Sequence, residues 1–198
     1  MHDLGTAARE MTRLLNGVKD DQLGDPTPCT RYTLGDLVQH VRVLAEAFTV
    51  AGRKEQPPGG SQPPPLGSAS LLSDGWRDET ADWLERLVAT WSEPESWEGT
   101  AWIAGFEVPA SMVGITASNE LVVHAWDVAR ASGQPLELDD AALAPSREFV
   151  AMMSGPGSED ARGEMFGPAV PVPAGASALD GVVAGNGRDP AWSVDDVA

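Results

Sequence analysis

Four segments of the chain repeat apolar residues at spacings of three and four, and this pattern limits the fold more than any other feature. The segments run from Asp3 to Lys19, from Thr33 to Gly52, from Leu71 to Trp91 and from Ala110 to Ser132. Offsets of three and four place side chains on one face of an α-helix. Four such helices bury their apolar faces against one another, so the sequence predicts an all-α protein built on a four-helix bundle.

Turn-forming residues separate these segments and mark the helix ends. Thr33 and Asp36 form a capping-box pattern at the start of the second helix, and Gly133 follows the fourth helix as a C-terminal cap. The segment from Gln56 to Leu66 is too rich in proline for regular structure and predicts a loop, either a lid or a flexible linker. The segment from Trp97 to Val108 predicts one short hairpin or an irregular connection.

The chain is less regular beyond the fourth helix. A fifth helix is predicted from Asp139 or Asp140 to Met153, and a further short helix near residues 177–184. Glycine, proline, alanine and serine dominate the rest. We therefore expect residues 1–155 to form the bundle and residues 156–198 to form a C-terminal extension that packs on it, as a single structural unit.

The charge balance excludes two classes of partner. Thirteen basic residues against 30 acidic ones give a formal net charge of −17. Such a surface repels nucleic acid and anionic membranes, so we expect neither as a partner. No apolar run is long enough for a membrane span, no leader pattern opens the sequence, and the single cysteine cannot form an internal disulfide. These features predict a cytoplasmic protein. From an acidic helical bundle of this size we expect either a monomer or a homodimer.

Two histidines fall on predicted helices with apolar faces. His124 follows Glu120 by four residues, so both side chains lie on one helix face, and His40 lies on or beside the buried stripe of the second helix. Two imidazoles and one carboxylate are a ligand set for a divalent metal with an open position. One interpretation is therefore a metal site between packed helices. The other makes Glu120 and His124 a simple surface pair and His40 a core histidine bonded to a carbonyl.

Three further residues have more than one interpretation. Asp127 follows His124 by three residues, so it can accept the ring N–H that a metal-bound imidazole donates, or it can pair with Arg130 or Arg188. Arg188 can fold back to bind an anionic group of a substrate or cofactor, although an ion pair that pins the C-terminal tail is simpler. Cys29 is a nucleophile candidate, but no base is evident beside it and packing as a small apolar residue is simpler.

Four stretches of the chain resemble one known family. They comprise a Thr-Pro-Cys turn followed by a capped helix and its histidine, the helix with the Glu-x-x-x-His pair, and two C-terminal motifs: residues 27–40, 120–133, 166–173 and 187–192. Together they resemble the actinobacterial branch of the DinB and mycothiol-dependent maleylpyruvate isomerase superfamily. The resemblance implies a DinB-like four-helix bundle with a metal at one end, bound by His40, Glu120 and His124. The chain departs from the pattern at Tyr32, where members usually carry tryptophan.

The resemblance also implies cofactors and an activity. It implies a divalent metal, with zinc favoured and nickel as an alternative, and mycothiol or a related low-molecular-weight thiol as co-substrate. We therefore expect a metal-dependent thiol S-transferase or isomerase that acts on a small electrophile. A metal-dependent hydrolase and a non-catalytic metal- or ligand-binding protein with a stress or regulatory role remain open alternatives.

Overall fold

Six α-helices and one hairpin make up the regular structure of the computed structural model, which describes residues 1–55, 66–154 and 167–196. The predicted loop from Gln56 to Leu66 lies, except for Leu66, outside the described residues. No helix in the described ranges has the length and apolarity needed to cross a bilayer. The helices are α1 (Gly5–Gly17), α2 (Leu34–Gly52), α3 (Trp76–Trp91), α4 (Ala110–Ser132), α5 (Asp140–Met152) and α6 (Ala178–Gly185), with 3-10 turns at Asp20–Gln22, Ala69–Leu71, Pro94–Trp97 and Val194–Asp196.

The first four helices form the predicted bundle. α2 packs against α3 and α4, and α1 packs against the same two helices. Their apolar faces meet in one core, in which Leu14, Leu37, Leu84 and Val122 are almost fully buried. The all-α prediction is therefore confirmed. The predicted start of α3 at Leu71 is wrong, because the Ser-Asp-Gly sequence that follows favours a turn over a helix and α3 begins only at Trp76.

The start of α2 is fixed by reciprocal hydrogen bonds. Thr33 Oγ1 accepts from the Asp36 N–H at 3.3 Å, and the Thr33 N–H donates to Asp36 Oδ2 at 3.2 Å, so the predicted capping box is present. Asp36 Oδ1 also accepts from the Ala69 N–H at 2.8 Å, and Gln39 Oε1 accepts from the Ser68 N–H at 3.3 Å. The segment after residue 66 is thereby tied along the first two turns of α2.

A short antiparallel hairpin joins the 3-10 turn after α3 to α4. Strand β1 (Thr100–Ile103) pairs with β2 (Phe106–Pro109), with Thr100 opposite Pro109 and Ile103 opposite Phe106. The two loop residues, Ala104 and Gly105, both have positive φ, which matches the right-handed twist of the strands. The hairpin interpretation of this segment is thus confirmed over the irregular one.

α4 is the central helix of the molecule. Every residue from 121 to 129 is buried, because α1 and α2 cover one side of the helix while α5 and α6 cover another. Asn119 and Asn186 exchange two side-chain hydrogen bonds of 2.9 and 3.1 Å, which join α4 to the residue after α6. The predicted helix near residues 177–184 is present, capped by Ser177. The predicted division of the chain at residue 155 falls outside the described residues.

Candidate metal centre

Three side chains converge where α2 faces α4. His40 comes from α2, and Glu120 and His124 lie one turn apart on α4; one nitrogen or oxygen from each lies within 4.8 Å of the other two. The imidazole rings of the two histidines meet edge to face, with centroids 5.2 Å apart, and His124 Nε2 lies 3.0 Å from Glu120 Oε2. The structure thus brings together the three residues that the sequence and the resemblance single out.

The donor set and its spacing fit a divalent cation. Two imidazoles and one carboxylate are the protein ligands of catalytic zinc sites such as the His2Glu class, which keep a further position for water or substrate. Tetrahedral bonds of about 2.1 Å would place the donor atoms roughly 3.4 Å apart. The donor atoms of the three side chains are at most 4.8 Å apart, and rotation of the side chains can bring them to the shorter distance. The arrangement is therefore compatible with one metal ion.

Asp127 holds His124 from the side opposite Glu120. Its Oδ2 lies 3.0 Å from His124 Nδ1 and accepts from Arg188 Nη2 at 3.0 Å, while Oδ1 accepts from Arg188 Nε at 3.4 Å. The sequence left open whether Asp127 contacts His124 or an arginine, and the structure shows that it contacts both His124 and Arg188. Arg130, the other candidate partner, lies over the ring of Trp126 instead. Because Nδ1 of His124 is engaged by Asp127, Nε2 is the nitrogen that remains for a metal.

Arg188 reaches the site from the segment after α6. Its side chain is only 11% exposed, and besides Asp127 it binds the carbonyl oxygen of Asn186 through Nη1 at 3.0 Å. The ion pair that pins the C-terminal segment is therefore present, and its partner is the carboxylate behind His124. Binding of an anionic substrate or cofactor group by Arg188 stays a prediction.

The surroundings give the two histidines opposite protonation states. Burial, together with the charge on His124, lowers the pKa of His40 to about 4, so His40 is neutral at pH 7. Burial also opposes a charge on His124, but hydrogen bonds to Asp127 and Glu120 outweigh it and raise the pKa of His124 to about 9. In the metal-free protein His124 is thus protonated and forms ion pairs with Glu120 and Asp127. A cation that binds Nε2 must displace the proton on that nitrogen.

The two carboxyl groups are ionised, although Asp127 is fully buried and Glu120 is largely buried. The pKa of Glu120 is lowered by its hydrogen bond to His124 and by that residue's charge, which together exceed the effect of burial. The pKa of Asp127 is lowered in the same way by Arg188 and His124. Both groups therefore carry a negative charge at neutral pH, which His124 and Arg188 balance in the metal-free protein.

Two residues of the turn before α2 lie beside the ligands. The ring of Tyr32 stacks on His40 with centroids 4.8 Å apart, and its Oη lies 3.4 Å from His40 Nδ1. Burial raises the pKa of the half-buried Cys29 thiol, and the charge of Asp127 raises it further. A raised pKa disfavours the thiolate, which supports the packing interpretation of Cys29 over the nucleophile. The contact between Tyr32 and His40 has no signal in the sequence, because an irregular turn of this length has no fixed geometry.

The interior side of the site is apolar. A cavity of about 10 Å³ borders Glu120 and His124 and is otherwise lined by hydrocarbon side chains, among them Val41, Phe48 and Leu121. That volume is close to the room that one water molecule needs, and a water there would have few polar partners. This cavity is therefore too small for a substrate to reach Glu120 and His124 through it.

Comparison with known proteins yields one family and two groups of relatives. Residues 4–129 match the family model described as the mycothiol maleylpyruvate isomerase N-terminal domain. Two uncharacterized proteins of Mycobacterium tuberculosis, from strains CDC 1551 / Oshkosh and H37Rv, are each 30% identical over 128 residues. That match spans 64% of this chain and 63% of each relative.

Two solved structures share the fold. The crystal structure of mycothiol-dependent maleylpyruvate isomerase superposes with a TM-score of 0.59 at 21% identity, and that of a histidine-to-alanine mutant of the enzyme with 0.58 at 20%. Each match covers 76% of this chain and 66% of the solved chain. The chain thus spans less than two thirds of the proteins it resembles, and at this identity the likeness establishes the fold.

Proposed function

The chain belongs to the mycothiol maleylpyruvate isomerase N-terminal domain family, and from this premise we propose that it binds one divalent metal through His40, Glu120 and His124 to activate a small thiol. The proposed reaction is addition of a mycothiol-type thiol to a small electrophile, as an S-transfer or as a thiol-dependent isomerisation. The observation that carries the proposal is the convergence of these three side chains, with one donor atom of each within 4.8 Å of the others.

Each residue has a distinct part in the proposed site. The neutral imidazole of His40 offers a lone pair at pH 7 without first losing a proton. Glu120 supplies the negative charge, and Asp127 orients the ring of His124 so that Nε2 points toward Glu120. A bound divalent cation would supply a Lewis acid that lowers the pKa of a coordinated thiol. Zinc suits this nitrogen and oxygen donor set, and nickel is the alternative.

The choice of thiol and electrophile follows the relatives. The solved structure with the same fold is described as a mycothiol-dependent maleylpyruvate isomerase. Mycothiol and maleylpyruvate are therefore the first pair of compounds to assay. Arg188 would serve such a substrate indirectly, since its guanidinium already neutralises the carboxylate behind His124.

Metal content and thiol chemistry test the proposal together. Untagged protein is expected to hold close to one zinc or nickel per chain, and the Glu120→Ala/His124→Ala variant to hold almost none, because two of the three donors are gone. The wild type is also expected to isomerise maleylpyruvate only when mycothiol is present. Elemental analysis of the purified proteins and an absorbance assay of the isomerisation measure the two outcomes.

The chain offers a matched control. His2 and Glu148 form a second imidazole–carboxylate pair, 3.2 Å apart and partly exposed. The His2→Ala/Glu148→Ala variant removes the same chemical groups and should keep metal and activity. Equal metal in both double variants would refute the ligand assignment. Stoichiometric metal without thiol-dependent turnover would refute the reaction and leave a metal-binding protein.

A further inference from the structure

Within the part of the chain that the structure describes, His40 Nδ1 has the hydroxyl of Tyr32 as its hydrogen-bond partner. Tyr32 Oη lies 3.4 Å from His40 Nδ1, and the two rings stack at an interplanar angle of 32°. An imidazole has two nitrogens, and the one that a neighbour occupies decides which is left for a metal. We propose that Tyr32 is a positioning residue of the metal centre, whose hydroxyl oxygen accepts the Nδ1 proton of His40 and so commits Nε2 to the cation. This inference rests on the proposed function.

The segment that crosses α2 packs beside the Tyr32 hydroxyl. The backbone N–H of Gly67 lies close to that hydroxyl, and Gly67 packs so closely on α2 that a Cβ there would collide with the Asp36 carbonyl and crowd the Cβ of His40. The next two residues of the segment are bonded to the side chains of Gln39 and Asp36. The backbone beside His40 and the Tyr32 hydroxyl is therefore fixed against α2.

The direction of the hydrogen bond follows from the donors and acceptors that the two groups offer. The oxygen of a phenol hydroxyl can accept a hydrogen bond while the group keeps its own proton. When Nε2 of His40 is bound to a cation, the single imidazole proton is on Nδ1 and points at the Tyr32 oxygen. A separation of 3.4 Å is long for a hydrogen bond. A cation on Nε2 makes Nδ1–H a stronger donor, so the contact should shorten when the metal binds.

Tyr32→Phe tests the inference because it removes the oxygen and keeps the stacked ring. Zinc affinity, measured by competition with a chromogenic chelator, is expected to fall by roughly 10- to 100-fold, the usual effect of losing the partner of a metal-bound histidine. Far-UV circular dichroism checks that the variant is folded. Unchanged affinity in the folded variant would overturn the inference.

Thr27→Val is the matched control for loosening of the same turn. Thr27 Oγ1 donates to the backbone oxygens of Tyr32 and Cys29 at 2.9 Å but belongs to neither ring contact. This variant should lower stability and leave zinc affinity within about twofold of the wild type. An affinity loss equal to that of Tyr32→Phe would assign the effect to the turn and overturn the role of the hydroxyl.

The wild type provides a second readout that does not depend on a variant. Tyr32 is the only tyrosine in the chain, so protein labelled with ζ-13C-tyrosine gives a single resonance. That resonance should shift when Zn²⁺ saturates the site, and no shift at saturation would overturn the inference. If the wild type binds no Zn²⁺, the proposed metal centre fails; if it binds Zn²⁺ as tightly as Tyr32→Phe does, only the role of Tyr32 fails.

Discussion

The single carboxylate of Asp127 binds two positively charged side chains, His124 and Arg188. One of its oxygens faces both His124 Nδ1 and Arg188 Nη2 at 3.0 Å, and the side chain is completely buried. A buried carboxylate without partners is strongly unfavourable, so the two positive groups are required for it to be there at all. Removing its charge should therefore affect both His124 and Arg188.

The pH dependence of stability separates the two histidines in metal-free protein. For His124, the folded pKa of about 9 exceeds the ordinary value of 6.5, so its stabilisation is complete below pH 6.5 and is lost as the pH rises through 9. For His40, the folded pKa of about 4 lies below 6.5, so stability falls as the pH drops from 6.5 toward 4. Urea unfolding in EDTA should therefore give the highest stability near pH 6.5.

Asp127→Asn is the variant that checks the alkaline side. The loss of stability between pH 6.5 and 9 should become shallower, because the hydrogen bond to Asp127 heads the contributions that raise the pKa of His124. Absolute stability should also drop, since Arg188 loses its partner. An alkaline slope equal to that of the wild type would show that Asp127 does not hold the proton on His124.

At the scale of elements, α2 and α4 share the work of presenting the ligands, and most of their geometry follows from the sequence. The spacing of four between Glu120 and His124 puts both on one helix face. The capping box of α2 can be predicted because its two residues are only three positions apart in the sequence. The start of α3 is misplaced by five residues, because Leu71 and Leu72 extend the apolar spacing across a turn. The approach of Tyr32 and Gly67 to His40 depends on two irregular segments folding against α2, which no local pattern encodes.

The cap of α2 provides a prediction at this scale. Thr33→Ala removes the side chain that accepts from Asp36 and should lower the free energy of unfolding by about 1 kcal/mol. It should also weaken zinc binding, because the same helix presents His40 and the same cap holds Asp36, which binds the segment after residue 66. Chemical unfolding and a zinc titration measure the two effects.

Ser177→Ala is the matched control for that cap. Ser177 forms the same type of capping box with Asp180 at the start of α6, a helix without a proposed ligand. This variant should lower the free energy of unfolding by about as much as Thr33→Ala and leave zinc affinity unchanged. Equal zinc affinity in the two variants would show that the cap of α2 stabilises the fold without positioning His40.

In the whole molecule, the buried amide pair of Asn119 and Asn186 couples the bundle to the segment that carries Arg188. The residues lie 67 positions apart in sequence, and Asn186 donates additionally to the Val182 carbonyl at 2.9 Å. Both are about 2% exposed or less. Because amide groups at this depth need partners, the pair fixes the C-terminal segment in one position against α4.

A double-mutant cycle measures that coupling. Asn119→Ala leaves the Asn186 amide partly unpaired and should cost about 1–3 kcal/mol of unfolding free energy. Asn119→Ala/Asn186→Ala should cost less than the sum of the two single variants, because the second change removes a group already left without its partner. Urea unfolding with far-UV circular dichroism gives the four values, and strict additivity would contradict the coupling.

The family match stops at residue 129, yet the counter-charge for Asp127 arrives from residue 188. A fragment limited to residues 4–129 would keep every proposed ligand. It would lose Arg188, so the buried carboxylate of Asp127 would keep His124 as its remaining partner. The residues that match the family model therefore form a smaller unit than the residues needed to balance the buried charges. Anyone transplanting this cluster into another scaffold must graft the returning arginine along with the helices.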